Sequence, residues 1–181
     1  MITDSFDINS PAKINPCLDG YRIKCDAIVA TFSYIIEDYV LSNFEHIEIG
    51  HLKSCTGFIP VWLIKYKGRH IAFFKTKVGA PACVGTLEDV IQIVDTNNVI
   101  IFGSAGTLNK NIEQGSYIVP TRAYRDEGTS YHYVKPSDYI EIKNHNKVSS
   151  FLKEEGVEYT VGGTWTTDAF FRETENNILK L

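Results

Sequence analysis

The chain has 181 residues, of which 44% are hydrophobic and 22% are charged, and its formal net charge is −4. This length suits one domain with a sizeable core rather than two domains, and the composition is typical of a soluble globular protein. No block of lysine and arginine stands out, so we expect no nucleic-acid partner.

Targeting and metal-binding patterns are also absent from the sequence. The apolar runs are far shorter than the 18 or so residues of a membrane helix, and residues 1–19 do not have the charge pattern of a signal peptide. The five histidines are scattered, so we expect no metal site. We expect a cytoplasmic protein with reduced thiols, because no C-x-x-C pair occurs among its four cysteines, Cys17, Cys25, Cys55 and Cys83.

The pattern of apolar and polar residues predicts a polar lead-in over residues 1–22 and one domain over residues 23–181. The first predicted elements are, in chain order, a strand over 27–32, a helix over 34–43, and strands over 61–66 and 70–75 with a hairpin turn at Lys67-Gly68. A loop over 79–82, a helix over 84–94 and strands over 99–102 and around 118–119 follow. The last are a helix ending at 151–155, a strand over 159–161 and a helix from 166 to 181.

Short apolar runs that alternate with helical segments predict an α/β domain with a mostly parallel or mixed sheet. Ligands bind such sheets where strands end and loops begin. The first suitable loop is Gly103–Gly106, where small residues let backbone N–H groups approach an oxyanion and Ser104 adds a hydroxyl. The alternative is a plain tight turn. The loop is neither a Walker loop nor a dinucleotide fingerprint, because Gly-Lys-Ser/Thr and G-x-G-x-x-G are both absent.

Two later segments are also candidates. Residues 125–133 combine charges, hydroxyls, two aromatic rings and His132, and the alternative is a salt-bridged surface loop or a subunit contact. Residues 162–171 include Phe170, a flat face for a heterocyclic base, and Phe171, a candidate for core packing. Asp168 in that segment is interpreted as the cap of the predicted helix that follows.

Four strings together resemble the nucleoside phosphorylase family, which includes purine nucleoside phosphorylases, uridine phosphorylases and methylthioadenosine nucleosidases. They are KVGAPAC at 77–83, GSAG at 103–106, RDEGTSYHY at 125–133 and WTTDAFFRE at 165–173. The resemblance runs in order from about residue 27 to about residue 175. It implies a three-layer α/β/α sandwich around a twisted mixed sheet, and a homo-oligomer whose subunits share active-site residues.

The resemblance also implies a chemistry, cleavage of the N-glycosidic bond of a nucleoside by phosphate or by water. Phosphate is then a co-substrate, and no cofactor is expected. The transition state resembles a ribosyl cation, which an anion beneath the ring stabilises. The family's phosphate- or water-binding positions match Ser33, Gly103 and Ser104, and the substrate-binding positions are assigned to Ser104, Ala105, Gly106, His132 and Phe170. No catalytic residue is assigned.

The sequence departs from the phosphorylases of this family at three places. Ile101 and Gly57 stand where those enzymes carry arginines, and residues 31–33 read Thr-Phe-Ser instead of Gly-Asp-Pro. Loss of the arginines removes the strongest charge-assisted bonds to phosphate. The candidates to replace them are Lys53, Lys77 and Arg125.

The family's Met-Glu pair for the ribose and its group for the leaving base have no match, since the only methionine is Met1. We therefore expect the N-terminal two-thirds of the fold, without its last strands and helix. Three interpretations stay open, and whether the chain is an enzyme stays open with them. They are a phosphorylase-like pentosyltransferase acting on a purine or pyrimidine nucleoside, a nucleosidase that uses water, and a catalytically inactive, truncated nucleoside-binding module.

Overall fold

The computed structural model describes residues 1–16, 20–54 and 57–179. Contacts within the chain divide it into two compact units. One unit is Pro11–Ser104, and the other combines Met1–Ser10 with Ala105–Leu181. The lead-in over 1–22 and the domain over 23–181 stay a prediction.

The unit Pro11–Ser104 is a mixed sheet with helices. Within its described residues, the elements are β1 (Ile23–Lys24), β2 (Ala27–Thr31), α1 (Tyr34–Asn43), β3 (His46–Ser54), β4 (Gly57–Tyr66), β5 (Arg69–Lys75), α2 (Ala80–Ile93), β6 (Val94–Asp95) and β7 (Val99–Phe102). β1 and β6 form a separate parallel pair.

The five-stranded sheet of this unit has the order β3-β4-β5-β2-β7. β2 runs parallel to both β5 and β7, whereas β4 is antiparallel to β3 and β5. Thr31 at the end of β2 is paired with Lys75 of β5 and with Phe102 of β7. Three strands therefore end side by side, and we call this border of the sheet the carboxyl edge.

The core of the unit lies between this sheet and α2. β2 is almost continuously apolar because it lies between two parallel neighbours, as expected for such a strand. Each large apolar side chain buried here contributes about 1.5–3 kcal/mol relative to exposure. The buried cluster consists of Cys25, Ile28, Ala30, Leu52, Ile59, Val61, Ala72, Phe74, Val90 and Val94.

The predicted hairpin between β4 and β5 is confirmed. Its two turn residues both have positive φ, 48° at Lys67 and 75° at Gly68. This conformation matches the twist of the flanking strands in a two-residue hairpin. The glycine accepts it without strain.

The second unit contains a smaller sheet. Its strands are β8 (Tyr117–Asp126), β9 (Tyr139–Glu141) and β10 (Tyr159–Thr167), and its helices are α3 (Ser130–Tyr133), α4 (His145–Glu154) and α5 (Glu175–Ile178), with 3-10 turns at Ile2–Asp4 and Phe170–Arg172. The order is β10-β8-β9. β8 and β10 are parallel and end together, with Asp126 paired with Thr167.

Two expectations about local structure are wrong. The predicted loop over 79–82 is instead the N-cap and the start of α2. Gly79, with φ of 105°, is the N-cap, and the helix begins at Ala80 and accommodates Pro81 in its first turn. The predicted helix from 166 to 181 is instead the end of β10, a 3-10 turn and the short helix α5, with residues 180 and 181 outside the described part.

The predicted mixed α/β class is confirmed, since parallel and antiparallel strands share one sheet with helices between them. In the described ranges, no helix is long and apolar enough to cross a membrane. Cys25 and Cys83 are free thiols, whereas Cys17 and Cys55 lie outside the described residues.

Candidate functional site

Ser33, Gly103 and Ser104 lie together at the carboxyl edge of the first unit. Thr31 and Phe102 are register partners, and the chain leaves the sheet directly after each of them. Ser33 lies two residues beyond Thr31, and Gly103 directly follows Phe102. The structure thus places these three predicted residues on neighbouring parallel strand ends, the position where open α/β sheets bind ligands.

Ser33 is the N-cap of α1. Its Oγ accepts a hydrogen bond from the backbone N–H of Ile36 at 3.4 Å. Its own backbone N–H donates to Thr31 Oγ1 at 3.3 Å. The hydroxyl oxygen is therefore already an acceptor within the helix, and the N-terminal end of α1 carries the partial positive charge of the helix dipole.

Gly103 is packed against an aromatic ring. A Cβ atom at this position would lie 2.8 Å from Cδ2 of Phe32, closer than real Cβ contacts come. By contrast, a Cβ atom at Gly106 meets nothing within 4 Å. Gly103 is therefore required where the turns after β2 and β7 approach each other, whereas Gly106 is not sterically required.

The basic side chains of the carboxyl edge are lysines. Lys75 forms an ion pair of 2.9 Å with Glu37, whose side chain is only 14% exposed. Lys77 donates to Ser54 Oγ at 3.2 Å. Lys53, another proposed substitute cation, lies over the Phe58 ring at 6.0 Å.

The two arginines of this unit are engaged elsewhere. Arg22 donates to the Val94 carbonyl at 2.8 Å and lies 3.4 Å from Asp95. Arg69 pairs with Asp26 at 3.2 Å, before β2 begins. Within the described part of this unit, arginine therefore does not supply charge at the carboxyl edge, in agreement with the apolar Ile101 on β7.

In the second unit, hydrogen bonds join the ends of β8 and β10 and the segments that follow them. The Asp168 carboxylate accepts from the Gly128 backbone N–H at 3.0 Å, and the Asp168 N–H donates to the Asp126 carbonyl at 3.2 Å. Trp165 Nε1 donates to the Asp126 carboxylate at 3.1 Å. The expected helix cap at Asp168 is wrong, because the 3-10 turn after it has Ala169 as its N-cap.

Arg125 is not available as a replacement phosphate ligand. It is only 5% exposed, and its guanidinium donates to groups of its own loop. That expectation is wrong because the side chain is enclosed by residues 130–137 rather than turned towards solvent.

The remaining predicted residues are exposed. His132 lies in the single turn of α3, and Phe170, with 59% of its surface accessible, begins the 3-10 turn after β10. Ala105 and Gly106 are exposed in the segment after β7. Phe171 is 99% exposed, so its predicted place in the core is wrong.

Sequence reasoning missed the residues that support the carboxyl edge. Phe32 sets the space beside Gly103, and the Lys75–Glu37 pair lies next to the start of α1. The available signal was weak, since only the end of an apolar run and a glutamate in the first helical turn hinted at these roles. In the described ranges, no group of three or more His, Cys, Asp or Glu side chains is arranged to hold a metal ion.

Comparisons with known proteins agree with this architecture. The sequence model of the Phosphorylase superfamily matches residues 27–181. A uridine phosphorylase of Thermococcus kodakarensis is 32% identical over 110 residues, which is 59% of this chain and 39% of the relative. A DeoD-type purine nucleoside phosphorylase of Bacillus thuringiensis is 25% identical over 167 residues, or 91% of this chain and 65% of the relative.

A solved structure gives the same result. The crystal structure of uridine phosphorylase from Vibrio fischeri superposes with a TM-score of 0.69 and 25% identity, covering 86% of this chain and 64% of that chain. This chain therefore spans less than two thirds of the length of each of these three proteins.

Proposed function

The chain belongs to the Phosphorylase superfamily, and on that premise we propose that it cleaves the N-glycosidic bond of a purine or pyrimidine nucleoside with phosphate as the nucleophile. The observation that carries the proposal is the carboxyl edge, where Ser33 and Gly103 follow paired parallel strands. Relatives named uridine phosphorylase and purine nucleoside phosphorylase support the substrate class.

In the proposed reaction, a phosphate oxygen forms a bond to C1′ of the sugar while the bond from C1′ to the base nitrogen breaks. The base leaves with the electron pair of that bond and takes up a proton, so the products are a sugar 1-phosphate and the free base. Because positive charge develops on the sugar in the transition state, an anion held beside C1′ both attacks and stabilises it.

Each predicted residue takes a distinct part in this proposal. The hydroxyl of Ser104 and the backbone N–H groups of Gly103 and Ser104 donate to phosphate, with the N-terminal end of α1 after Ser33 adding favourable potential. Phe170 offers its exposed ring to the base, and His132 contacts the substrate. Ala105 and Gly106 are the remaining proposed substrate contacts.

The test is base release from uridine, inosine and adenosine as phosphate is titrated. The proposal expects release that requires phosphate and saturates with it. Ser104→Ala should lower the rate about 10–100-fold through the loss of one donor to the anion. Ser116→Ala is the control, since Ser116 is an exposed serine that precedes β8 at Tyr117. Equal rates for the two variants would contradict the assignment of Ser104.

Hydrolysis by water is the second candidate function, and one observation favours it. Among the described residues of its unit, lysines but no arginine lie at the carboxyl edge, and Ile101 is apolar. Phosphate-independent release of base with free ribose would support the nucleosidase. Nucleoside binding by calorimetry without release of base would instead support an inactive binding module.

The proposal extends to assembly and location. We expect a homo-oligomer in the cytoplasm, because the resemblance implies active sites that borrow residues from a neighbouring subunit. Light scattering coupled to size-exclusion chromatography tests the assembly, and a monomer at micromolar concentration would contradict it. Fractionation of cells that express the full protein tests the location.

A further inference from the structure

Arg125 is a buried cation at the end of β8, and the loop that follows its own strand encloses it. It is 5% exposed and lies one residue before the last residue of β8. Arginine is rarely buried so completely unless its donors are satisfied. The partners of its guanidinium therefore indicate what this side chain does.

The guanidinium donates to both sides of one short loop. Nε donates to Ser130 Oγ at 2.8 Å, before His132. Nη1 donates to the Lys135 carbonyl at 2.8 Å and to Ser137 Oγ at 3.2 Å, and Nη2 donates to the Val134 carbonyl at 3.3 Å, all after His132. One rigid, planar group thus holds both flanks of the turn that contains His132.

Two further contacts stabilise the same turn, one with Arg125 and one with Glu127. The Tyr131 ring lies 4.0 Å from the guanidinium carbon, within the range of a cation–π interaction. The backbone N–H of Ser130 donates to a Glu127 carboxylate oxygen at 2.9 Å, and its hydroxyl donates to the other oxygen. Within residues 1–16, 20–54 and 57–179, the Arg125 guanidinium forms no direct ion pair with a carboxylate, so loop carbonyls and hydroxyls satisfy it.

We infer that Arg125 is a positioning residue that fixes the loop 127–137 and thereby holds His132 in place for substrate. A loop conformation that broke these bonds would leave a buried charged group without acceptors, which is strongly unfavourable. The short turn of α3 is too small to be stable alone, so its conformation depends on this group. The inference rests on the proposed function, in which His132 contacts the substrate.

The first test compares Arg125→Lys with Arg122→Lys in the full chain. Arg122 lies on the same strand and stacks on Tyr139 at 4.5 Å, but it is exposed and makes no hydrogen bond to the loop among the described residues. Lysine keeps the charge of Arg125 and loses its fork of donors. Amide exchange over 129–137 should be at least about tenfold faster in Arg125→Lys and unchanged in Arg122→Lys. Unchanged exchange in both variants would overturn the inference.

A second test follows His132 itself without any assay of turnover. The rate at which diethylpyrocarbonate modifies His132, measured on peptides, should change in Arg125→Lys, whereas the rate at His145 on α4 should not. If Arg125→Lys fails to fold, Ser137→Ala replaces it, because that change removes one acceptor and leaves the arginine in place. An unaltered His132 rate and unaltered loop exchange in the folded variant would overturn the inference.

A third test separates positioning from general stability. Arg125→Lys should raise KM for the nucleoside about tenfold, and the same change in a His132→Ala background should have little further effect. An equal rise in KM in both backgrounds would show that Arg125 does not act through His132. If the unaltered chain neither binds nor cleaves nucleosides, the proposed function fails, and the exchange and modification rates still decide the role of Arg125.

Discussion

The carboxylate of Asp168 accepts a hydrogen bond from the backbone N–H of Gly128, 3.0 Å away, although 40 positions separate the two residues in the chain. The bond connects the segments that follow β8 and β10, each of which carries one of the proposed substrate contacts. Phe170 comes two residues after Asp168, and His132 comes four residues after Gly128. Asp168 therefore supports the candidate site without belonging to the proposed substrate contacts.

Replacement of Asp168 by alanine should loosen this connection. Because the bond is exposed and its acceptor is charged, we expect a loss of about 0.5–1.5 kcal/mol in the free energy of unfolding. Urea unfolding measures the change. Asp138→Ala is the matched control, since Asp138 is an exposed aspartate of the same unit, and the prediction fails if the two variants are equally stable.

Gly103→Ala should destabilise the first unit because the new methyl group overlaps Phe32, whose Cδ2 would lie 2.8 Å away. Overpacking of this kind costs about 1–3 kcal/mol. Gly106→Ala has open space and should change stability by less than about 0.5 kcal/mol. Phe32→Ala in the Gly103→Ala background should restore part of the loss. Thermal unfolding of the unaltered chain, Gly103→Ala, Phe32→Ala and the double variant would reveal the coupling between the two positions.

Ser33→Ala removes the N-cap of α1. The bond from the Ile36 N–H to Ser33 Oγ is long, at 3.4 Å, so we expect a loss near the lower end of the usual range, about 0.5–1 kcal/mol. Ser33→Asp should retain the cap. Ser42→Ala, at an exposed position late in the same helix, serves as the control in urea unfolding, and a loss as large as that of Ser33→Ala would argue against the cap.

Asp26 should make stability dependent on pH in the acid range. The His70 backbone N–H, which donates to the carboxylate at 2.8 Å, lowers the pKa of Asp26, and Arg69 at 3.2 Å lowers it further. Because the folded-state pKa lies below the unfolded one, the contribution is present above the unfolded pKa and is lost as pH falls through the folded pKa.

Asp26→Asn should therefore flatten the acid side of the stability curve, while the exposed Asp38→Asn on α1 should leave it unchanged. Urea unfolding at several pH values between neutral and strongly acidic conditions measures both curves. If the free energy of unfolding fell with pH in parallel for Asp26→Asn and the unaltered protein, Asp26 would not be the source of the acid dependence.

Local signals predicted part of this fold accurately. The helix over 34–43 matches α1 because Ser33 is a good N-cap and a helical pattern follows it directly. The Lys67-Gly68 turn has a local cause as well, since glycine tolerates positive φ. Such features depend on neighbours in sequence and are visible without the fold.

Features that depend on distant residues were not predictable in this way. β10 continues to Thr167 because it pairs with β8 along its whole length, even though Gly162 and Gly163 resemble a loop and mark a shift in register. The partner of Asp168 is likewise 40 residues away, so a local helix cap was the natural expectation. Arg125 was predicted as a substitute cation because the sequence does not show that its own loop encloses it.

The most direct test of the central claim is a mass spectrum of the products formed from uridine or inosine in 18O-enriched water with phosphate present. In phosphate attack, the new oxygen atom on C1′ comes from phosphate and carries no 18O. The account therefore predicts unlabelled sugar 1-phosphate in an amount equal to that of the free base. Free ribose that carries 18O at C1′ would contradict it, as would the absence of base release.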